Sequence, residues 1–456
     1  MHVKLPALLL TLLVTAFVTV TPAAQPSEPA IAFTNVTVIP LDRDRTLADH
    51  TVVIRGERII AMTPSAAAKI PAGATRIDGR GKFLMPGMAE MHAHIPGGQT
   101  ATETDMQRTL LLFAANGITT IRGMLGEPRH LPLRDAVEKG TLIGPTIFTS
   151  GVSFNANTAK SADVAVKMVQ DQKAAGYDFL KVHPGVPREV FDAMAAEANK
   201  QGISFSGHVP ADVGLERALS AKFRSIDHID GFFEYAVRAD APVDRNNPGF
   251  FGASFAAHLD PARLAKAIEE TRRAGVWIVP TQGLLETFMS MATPEELARG
   301  PGVEYMPPQQ VAAWTKQRQG FMAQPGFSRE NNERFLQERR NLLKALHDAG
   351  VDIALGSDAV QTFSVPGFSI FNEMHAMARS GMQPYDIYVT GGPNVARFFH
   401  REKEVGTVTV GKIADLVLVD ADPLGGVANF EKQTGTMLRG RWHPRADLLG
   451  KAKSLQ

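Results

Sequence analysis

The chain of 456 residues contains no cysteine. Disulfides, thiolate metal ligands, a cysteine nucleophile and a lipid anchor on an N-terminal cysteine are thereby excluded, so any metal must rest on histidine, carboxylate or a modified side chain. Charge of one sign is also missing: the formal net charge is +1, and no run of lysine and arginine occurs. Nothing marks a surface for nucleic acid or an anionic membrane, and a small-molecule substrate is expected. No Gly-rich phosphate loop follows the first strand of the central region, which argues against a dinucleotide fold. The apolar run from Leu5 to Val20 is shorter than the ~20 residues that a membrane span needs. Lys4 precedes it and Thr21-Pro22-Ala23-Ala24 follows, so residues 1–24 read as an export signal cleaved after Ala23 or Ala24. The mature protein is then periplasmic or secreted, without stable membrane insertion; an uncleaved anchor is the alternative.

What is present suits a large folded enzyme. Hydrophobic residues at 44% and charged residues at 21% exclude disorder on a large scale. The length favours one big barrel with a smaller domain. Strand signals appear at Phe33–Ile39 and Thr51–Ile60, and return only in Gly406–Val410 and Ala414–Asp420. This pattern predicts one small sheet domain built from both ends of the chain. Between them, helical stretches close on glycine and pass at once into apolar runs, at Gly117, Gly176, Gly202, Gly275 and Gly350. Proline opens helices at Pro187-Arg188-Glu189 and Asp260-Pro261-Ala262. Alternating helices and buried strands imply a parallel α/β barrel or an open doubly wound sheet, with the barrel favoured. In a barrel, polar residues at the carboxyl ends of strands carry the chemistry.

The stretch Met85-Pro86-Gly87-Met88-Ala89-Glu90-Met91-His92-Ala93-His94 places two histidines two apart on a strand, hence on one face. Reading each later strand to its end adds Lys181, His208, His228 and Asp358. Four imidazoles and a carboxylate suit zinc or a similar divalent metal better than calcium or magnesium. An ammonium at Lys181 would repel a metal, so Lys181 either sits apart or becomes an anion, for instance a carbamate bridging two cations. His130, His183, His258, His347 and His375 read as packing or hydrogen-bonding residues.

Four segments carry a resemblance: Ile77–Gly87 before the paired histidines, Ser206-Gly207-His208-Val209-Pro210, Gly356-Ser357-Asp358-Ala359, and Gly411–Pro423. The sequence resembles the amidohydrolase superfamily, in its branch of imidazolonepropionase-related and prolidase-like enzymes, from about Phe33 to Trp442. The resemblance implies an α/β fold, a (β/α)8 TIM-type barrel over 85–402 with a small β-sandwich from 31–84 plus 403–445. It implies that His92, His94 and Asp358 hold a buried metal and His208 and His228 a more exposed one, bridged by Lys181 as N6-carboxylysine. Two departures stand out: Glu90 replaces the usual Asp before the first histidine, and Arg122-Gly123 replaces an Arg-Asp pair.

The chemistry expected is hydrolysis of an amide in a dipeptide, an N-acyl amino acid or a cyclic amide, by a hydroxide bridging two metals. Asp358 would act as general base and then as acid toward the leaving amine. Lactones and esters are alternatives on the same site. A mononuclear deaminase is disfavoured because no Glu follows His208 in Val209-Pro210-Ala211-Asp212. A noncatalytic barrel-fold binding protein predicts lost ligands, and none is lost. The apolar segment Gly283–Asn341 reads equally as a lid or as helices packing their own faces. Arg188, Arg238 or Tyr235, the last favoured, would hold a substrate carboxylate. Homo-oligomerisation is left open.

Overall fold

The computed structural model describes His2 and residues 29–456. The export signal expected over residues 1–24 thus lies, apart from His2, outside the described residues. Among the described residues no helix is long and apolar enough to cross a membrane.

Strands from both ends of the chain share one eight-stranded sheet. Its order is Arg441–Pro444, Gln433–Leu438, Leu416–Val419, Phe83–Pro86, Ala30–Val38, Leu47–Arg55 and Arg58–Pro64, with Thr75–Asp78 also paired to Ala30–Val38. Side-chain alternation divides Leu416–Val419 between two cores. Leu416 and Leu418 join Phe33, Val52 and Met437 in the core of this sheet, whereas Val417 and Val419 face the main core. The stretch Thr51–Ile60, expected as one strand, is a hairpin: Gly56 takes φ 55°, and Arg55 pairs with Arg58. Gly406–Val410 forms no strand, and of Ala414–Asp420 only Leu416–Val419 does.

The central region alternates short parallel strands with helices. Met88–Ala93, Ile118–Gly123 and Thr146–Thr149 form one parallel sheet; Leu180–Val182, Phe205–Gly207, Ser225–Asp227 and Trp277–Val279 form another. Isolated parallel bridges join Ser150 to Phe179, Ile278 to Ile353 and Ala359 to Ala93. Helices end where glycine was expected to end them: Gly176, Gly202 and Gly275 are left-handed C-caps. Asp260 caps Pro261–Ala274 by accepting from Ala262 and Arg263 N–H.

Gly87 joins the two regions at close quarters. A Cβ there would lie 2.2 Å from the Thr119 side chain, so only glycine fits. Its N–H donates to Asp415 O at 2.9 Å, bringing together two of the segments that carry the resemblance.

Candidate metal centre

The carboxyl ends of the central strands bring His92, His94, Lys181, His208, His228 and Asp358 into one buried cluster. His94 Nε2 lies 2.7 Å from Asp358 Oδ1, and His92 Nε2 lies 3.8 Å from the same oxygen. The His92 and His228 ring centroids are 4.5 Å apart, and those of His208 and His228 4.4 Å. Lys181 Nζ sits 3.4 Å from His92 Nε2. One donor atom each from His92, His228 and Asp358 falls within 4.8 Å of the others, a group that could hold a metal ion.

Three of the rings have an oxygen within 3.0 Å of Nδ1. His92 Nδ1 is 3.0 Å from Asp227 Oδ2, His208 Nδ1 2.7 Å from Asp230 Oδ2, and His228 Nδ1 2.8 Å from Thr281 Oγ1. In His208 and His228 the hydrogen bond at Nδ1 leaves the Nε2 lone pair free, the arrangement that fixes imidazole ligands in metal sites. Thr281 stands at the N-cap of Gln282–Met289 yet makes no cap with its side chain. Glu373, from helix Ser369–Arg379, accepts from Gly283 N–H in its place, freeing the Thr281 hydroxyl for His228.

The electrostatics keep these donors neutral. Burial, and then Lys181, holds the His92 imidazole well below its ordinary value. Burial and the neighbouring His208 and His92 rings do the same to His228, and burial with Lys181 brings His208 down to about 3. Burial likewise lowers Lys181, against the pull of Asp227 and Asp358, and so favours its free amine. His92 Nδ1 and Asp227 Oδ2, although 3.0 Å apart, make no aligned hydrogen bond and are left unpaired inside the protein. Three neutral imidazoles beside the Asp358 carboxylate are a donor set that a divalent cation completes.

Asp227 and Phe251 were not anticipated at the site, whereas Glu90 and Arg122 stood out as departures and His183 read as a packing residue. Asp227 is fully buried; burial opposes its ionisation, but Arg122 and Lys181 outweigh that and hold the carboxyl below its usual value. Arg122 Nη2 donates to Asp227 at 3.1 Å, Nη1 to Ser225 at 2.9 Å and Nε to Met91 O at 2.7 Å, tying three strands together. Glu90 accepts the N–H groups of His92 at 2.9 Å and Ser357 at 2.8 Å, so its side chain bridges the strand of the paired histidines and the segment that carries Asp358. His183 stacks beside His208 at 5.3 Å. Its spacing of two from Lys181 was the available signal. Phe251, in a left-handed conformation, covers His228 at 5.2 Å.

The expected carboxylate-binding residues are engaged elsewhere. Arg188 pairs with Asp192 at 3.0 Å along its helix, and exposed Arg238 lies 3.7 Å from Asp240. The Tyr235 ring lies under the Arg263 guanidinium at 5.0 Å, because helix Pro261–Ala274 packs over it. Segment Gly283–Asn341 divides between its two readings. Trp314 and Met306 pack in a satellite core with Phe363, whereas Phe288, Phe321 and Phe327 form an aromatic cluster with Phe250. A cavity of about 640 Å³ opens on His208, lined also by Asp230, Glu234, Arg245, Phe250 and Phe251.

This fold and site define an α/β protein of the TIM-barrel type. The sequence profile of the Amidohydrolase family matches residues 83–443, and the chain belongs to that family. An adenine deaminase of Rubrobacter xylanophilus is 24% identical over 85% of this chain and 53% of its own, so the chain spans about half the length of that relative. An imidazolonepropionase of Streptomyces avermitilis is 22% identical over 82% of this chain and 81% of its own. The crystal structure of a Xaa-Pro dipeptidase with bound methionine in the active site, 18% identical, superposes with a TM-score of 0.66 over 91% of this chain and 100% of that one, a likeness of fold.

Proposed function

We propose that the protein is a metal-dependent amidohydrolase that cleaves the C–N amide bond of a dipeptide or an N-acyl amino acid. The observation that carries the reading is the convergence of His92, His94 and His228 on Asp358, with His208 against His228 and with Asp230 and Thr281 hydrogen-bonded at Nδ1 of His208 and His228. His92, His94 and Asp358 would hold one divalent ion and His208 and His228 a second, with Lys181 as N6-carboxylysine between them; the donor types favour zinc. When bound, such ions supply a Lewis acid for the carbonyl and lower the pKa of water toward about 7. Asp358 then takes the proton of the attacking water on a carboxylate oxygen and returns it to the leaving nitrogen as the C–N bond breaks. Gln361 Nε2 donates to Asp358 Oδ1 at 3.2 Å and steadies the carboxylate for that transfer. Asp227, with Arg122 behind it, lies 3.0 Å from His92 Nδ1. Family membership supports hydrolysis of C–N bonds.

The same reading takes the parallel pairings as a closed eight-stranded barrel over 85–402 and the shared sheet as a β-sandwich from 31–84 and 403–445. It places the mature protein in a periplasm or outside the cell. The decisive assay uses purified mature protein loaded with zinc and bicarbonate, offered a library of dipeptides and N-acyl amino acids. Free amine is measured beside a Lys181→Ala control. Amine release that vanishes in the control supports the proposal. No release from any member refutes it in favour of cyclic amides, lactones, esters or a binding protein.

A further inference from the structure

A second cavity, of about 500 Å³, shares Gly249 and Phe250 with the cavity that opens on His208. The Phe250 ring and its backbone are therefore a common wall. Beyond that wall the lining includes Phe321, Phe327 and Met289. An unbroken series of aromatic contacts leads there from the metal centre: His228 to Phe251 at 5.2 Å, Phe251 to Phe250 at 4.7 Å, Phe250 to Phe321 at 4.9 Å and Phe321 to Phe327 at 5.7 Å.

Three polar residues of the second cavity are committed within the protein, and Asn247, Ser254, His258 and Gln324 also line it. Asn332 Nδ2 donates to Met289 O at 3.0 Å, Asn331 Nδ2 to Gly326 O at 3.1 Å, and Arg334 pairs with Glu330 at 2.8 Å. Beside these polar groups, Phe250, Phe321, Phe327 and Met289 offer a ligand a continuous aromatic and aliphatic wall. Gly249 at φ 72° and Gly252 at φ 78° bracket Phe250 and Phe251, so the wall is carried on backbone that glycine alone makes easy to turn. A cavity on the order of 300 Å³ is already a full small-molecule site, and the one at His208 exceeds that before the second is added.

We propose that the second cavity is a substrate subsite, reached past Phe250, for a large aromatic or long aliphatic group on one side of the scissile bond. The preferred substrates are then amides bearing such a group rather than small dipeptides. This rests on the amidohydrolase reading of the metal centre, and the test separates the two.

Two ratios of kcat/KM are measured with zinc- and bicarbonate-loaded protein: N-(2-naphthoyl)-L-alanine over N-acetyl-L-alanine, and N-acetyl-naphthylalanine over N-acetyl-L-alanine. One ratio should be about tenfold or more, the worth of burying two methylene equivalents. Ala257 is exposed and lines the second cavity, so Ala257→Trp fills it from the wall; the ratio should fall toward one. Ala253→Phe fills it independently. Ratios near one in the native protein, or a ratio that neither variant changes, overturn the subsite. Calorimetric binding of 2-naphthylmethanol, which has no amide to cleave, reads the cavity directly. Binding that both variants abolish upholds the subsite even if no amide is hydrolysed, in which case the amidohydrolase reading alone falls. Absence of binding, or equal binding by the filled variants, overturns the subsite even in an active enzyme.

Discussion

Replacing Thr281 by valine isolates what one hydroxyl does for the metal centre. Thr281 is fully buried, its Oγ1 is 2.8 Å from His228 Nδ1, and it holds φ 45°. Valine keeps the branched shape and the backbone strain and removes only the hydrogen-bond partner. A buried N–H left without an acceptor costs about 1–3 kcal/mol. In the metal-free protein the imidazole escapes that cost by moving its proton to Nε2, which surrenders the lone pair a metal would use. The cost therefore falls on metal binding, where about 1–3 kcal/mol is roughly a 5- to 150-fold loss of affinity. The usual loss on removing such an orienting partner, about 10- to 100-fold, lies in that range. Competition for zinc between the protein and a chromophoric chelator measures it. Thr281→Ser, which restores the hydroxyl, should bind within about twofold of the native protein. If Thr281→Val also binds within about twofold, His228 is not oriented by Thr281 and the argument fails.

Three further outcomes follow from the same structure. Burial pushes the Glu373 carboxyl up to about 8 from a reference of 4.5, with Arg339 from helix Arg329–Asp348, Glu286 from Gln282–Met289 and Glu90 nearby. The native state holds this proton more tightly than the unfolded chain, so the stability it contributes is full below about 4.5 and is lost as pH rises through about 8, with a ceiling of about 5 kcal/mol. Glu373→Gln should flatten melting temperature against pH over that window; a difference from native protein that is the same at every pH contradicts this. Arg339 is buried and donates to His228 O at 2.9 Å, Gln282 Oε1 at 3.0 Å and Pro280 O at 3.2 Å. Arg339→Met should cost about 3–5 kcal/mol in denaturant unfolding, and less than about 1 kcal/mol would show the network to be dispensable. Zinc at a thousandfold excess over its dissociation constant should add about 4 kcal/mol to stability, read as a melting temperature that a chelator lowers and zinc restores.

Much of the fold is legible because helix ends and buried strands leave local signals. The glycines at 176, 202 and 275 mark real left-handed caps, since no Cβ blocks that conformation. The signals fail where a turn sits inside an apolar run. Thr51–Ile60 alternates like one strand, yet Gly56 folds it into a hairpin and buries Val52, Ile54 and Ile59 together. Gly406–Val410 has strand composition, but in it only Val408 is buried, and the segment is held by single contacts such as Val408 N–H to Pro40 O. Composition does not show whether a partner strand is present.

At the metal centre the limit has a single physical origin. The paired histidines and the strand-end residues could be read by alternation, which assumes extended backbone. Under that rule Asp227 and His228 point to opposite faces, and Asp227 drops out of the site. In the folded chain His228 takes φ 62° and Ile229 φ 56°, and this left-handed turn directs both side chains inward, Asp227 to His92 and His228 to the cluster. Asp358 repeats the device at φ 61°: Ser357 reaches back to Glu90 while Asp358 faces His94. Non-glycine residues in this region carry about 1–3 kcal/mol of strain each and persist only where the surroundings over-determine them. Here the surroundings are named: Arg339 on His228 O, Thr281 on its ring, Glu90 on Ser357 N–H. Each comes from a distant part of the chain, so the strain at His228, Ile229 and Asp358 is sustained by contacts that no local pattern encodes. The oxygens at Nδ1 of His92, His208 and His228 are therefore a product of the assembled chain, and the residues that supply them are the ones a reading of strand periodicity passes over.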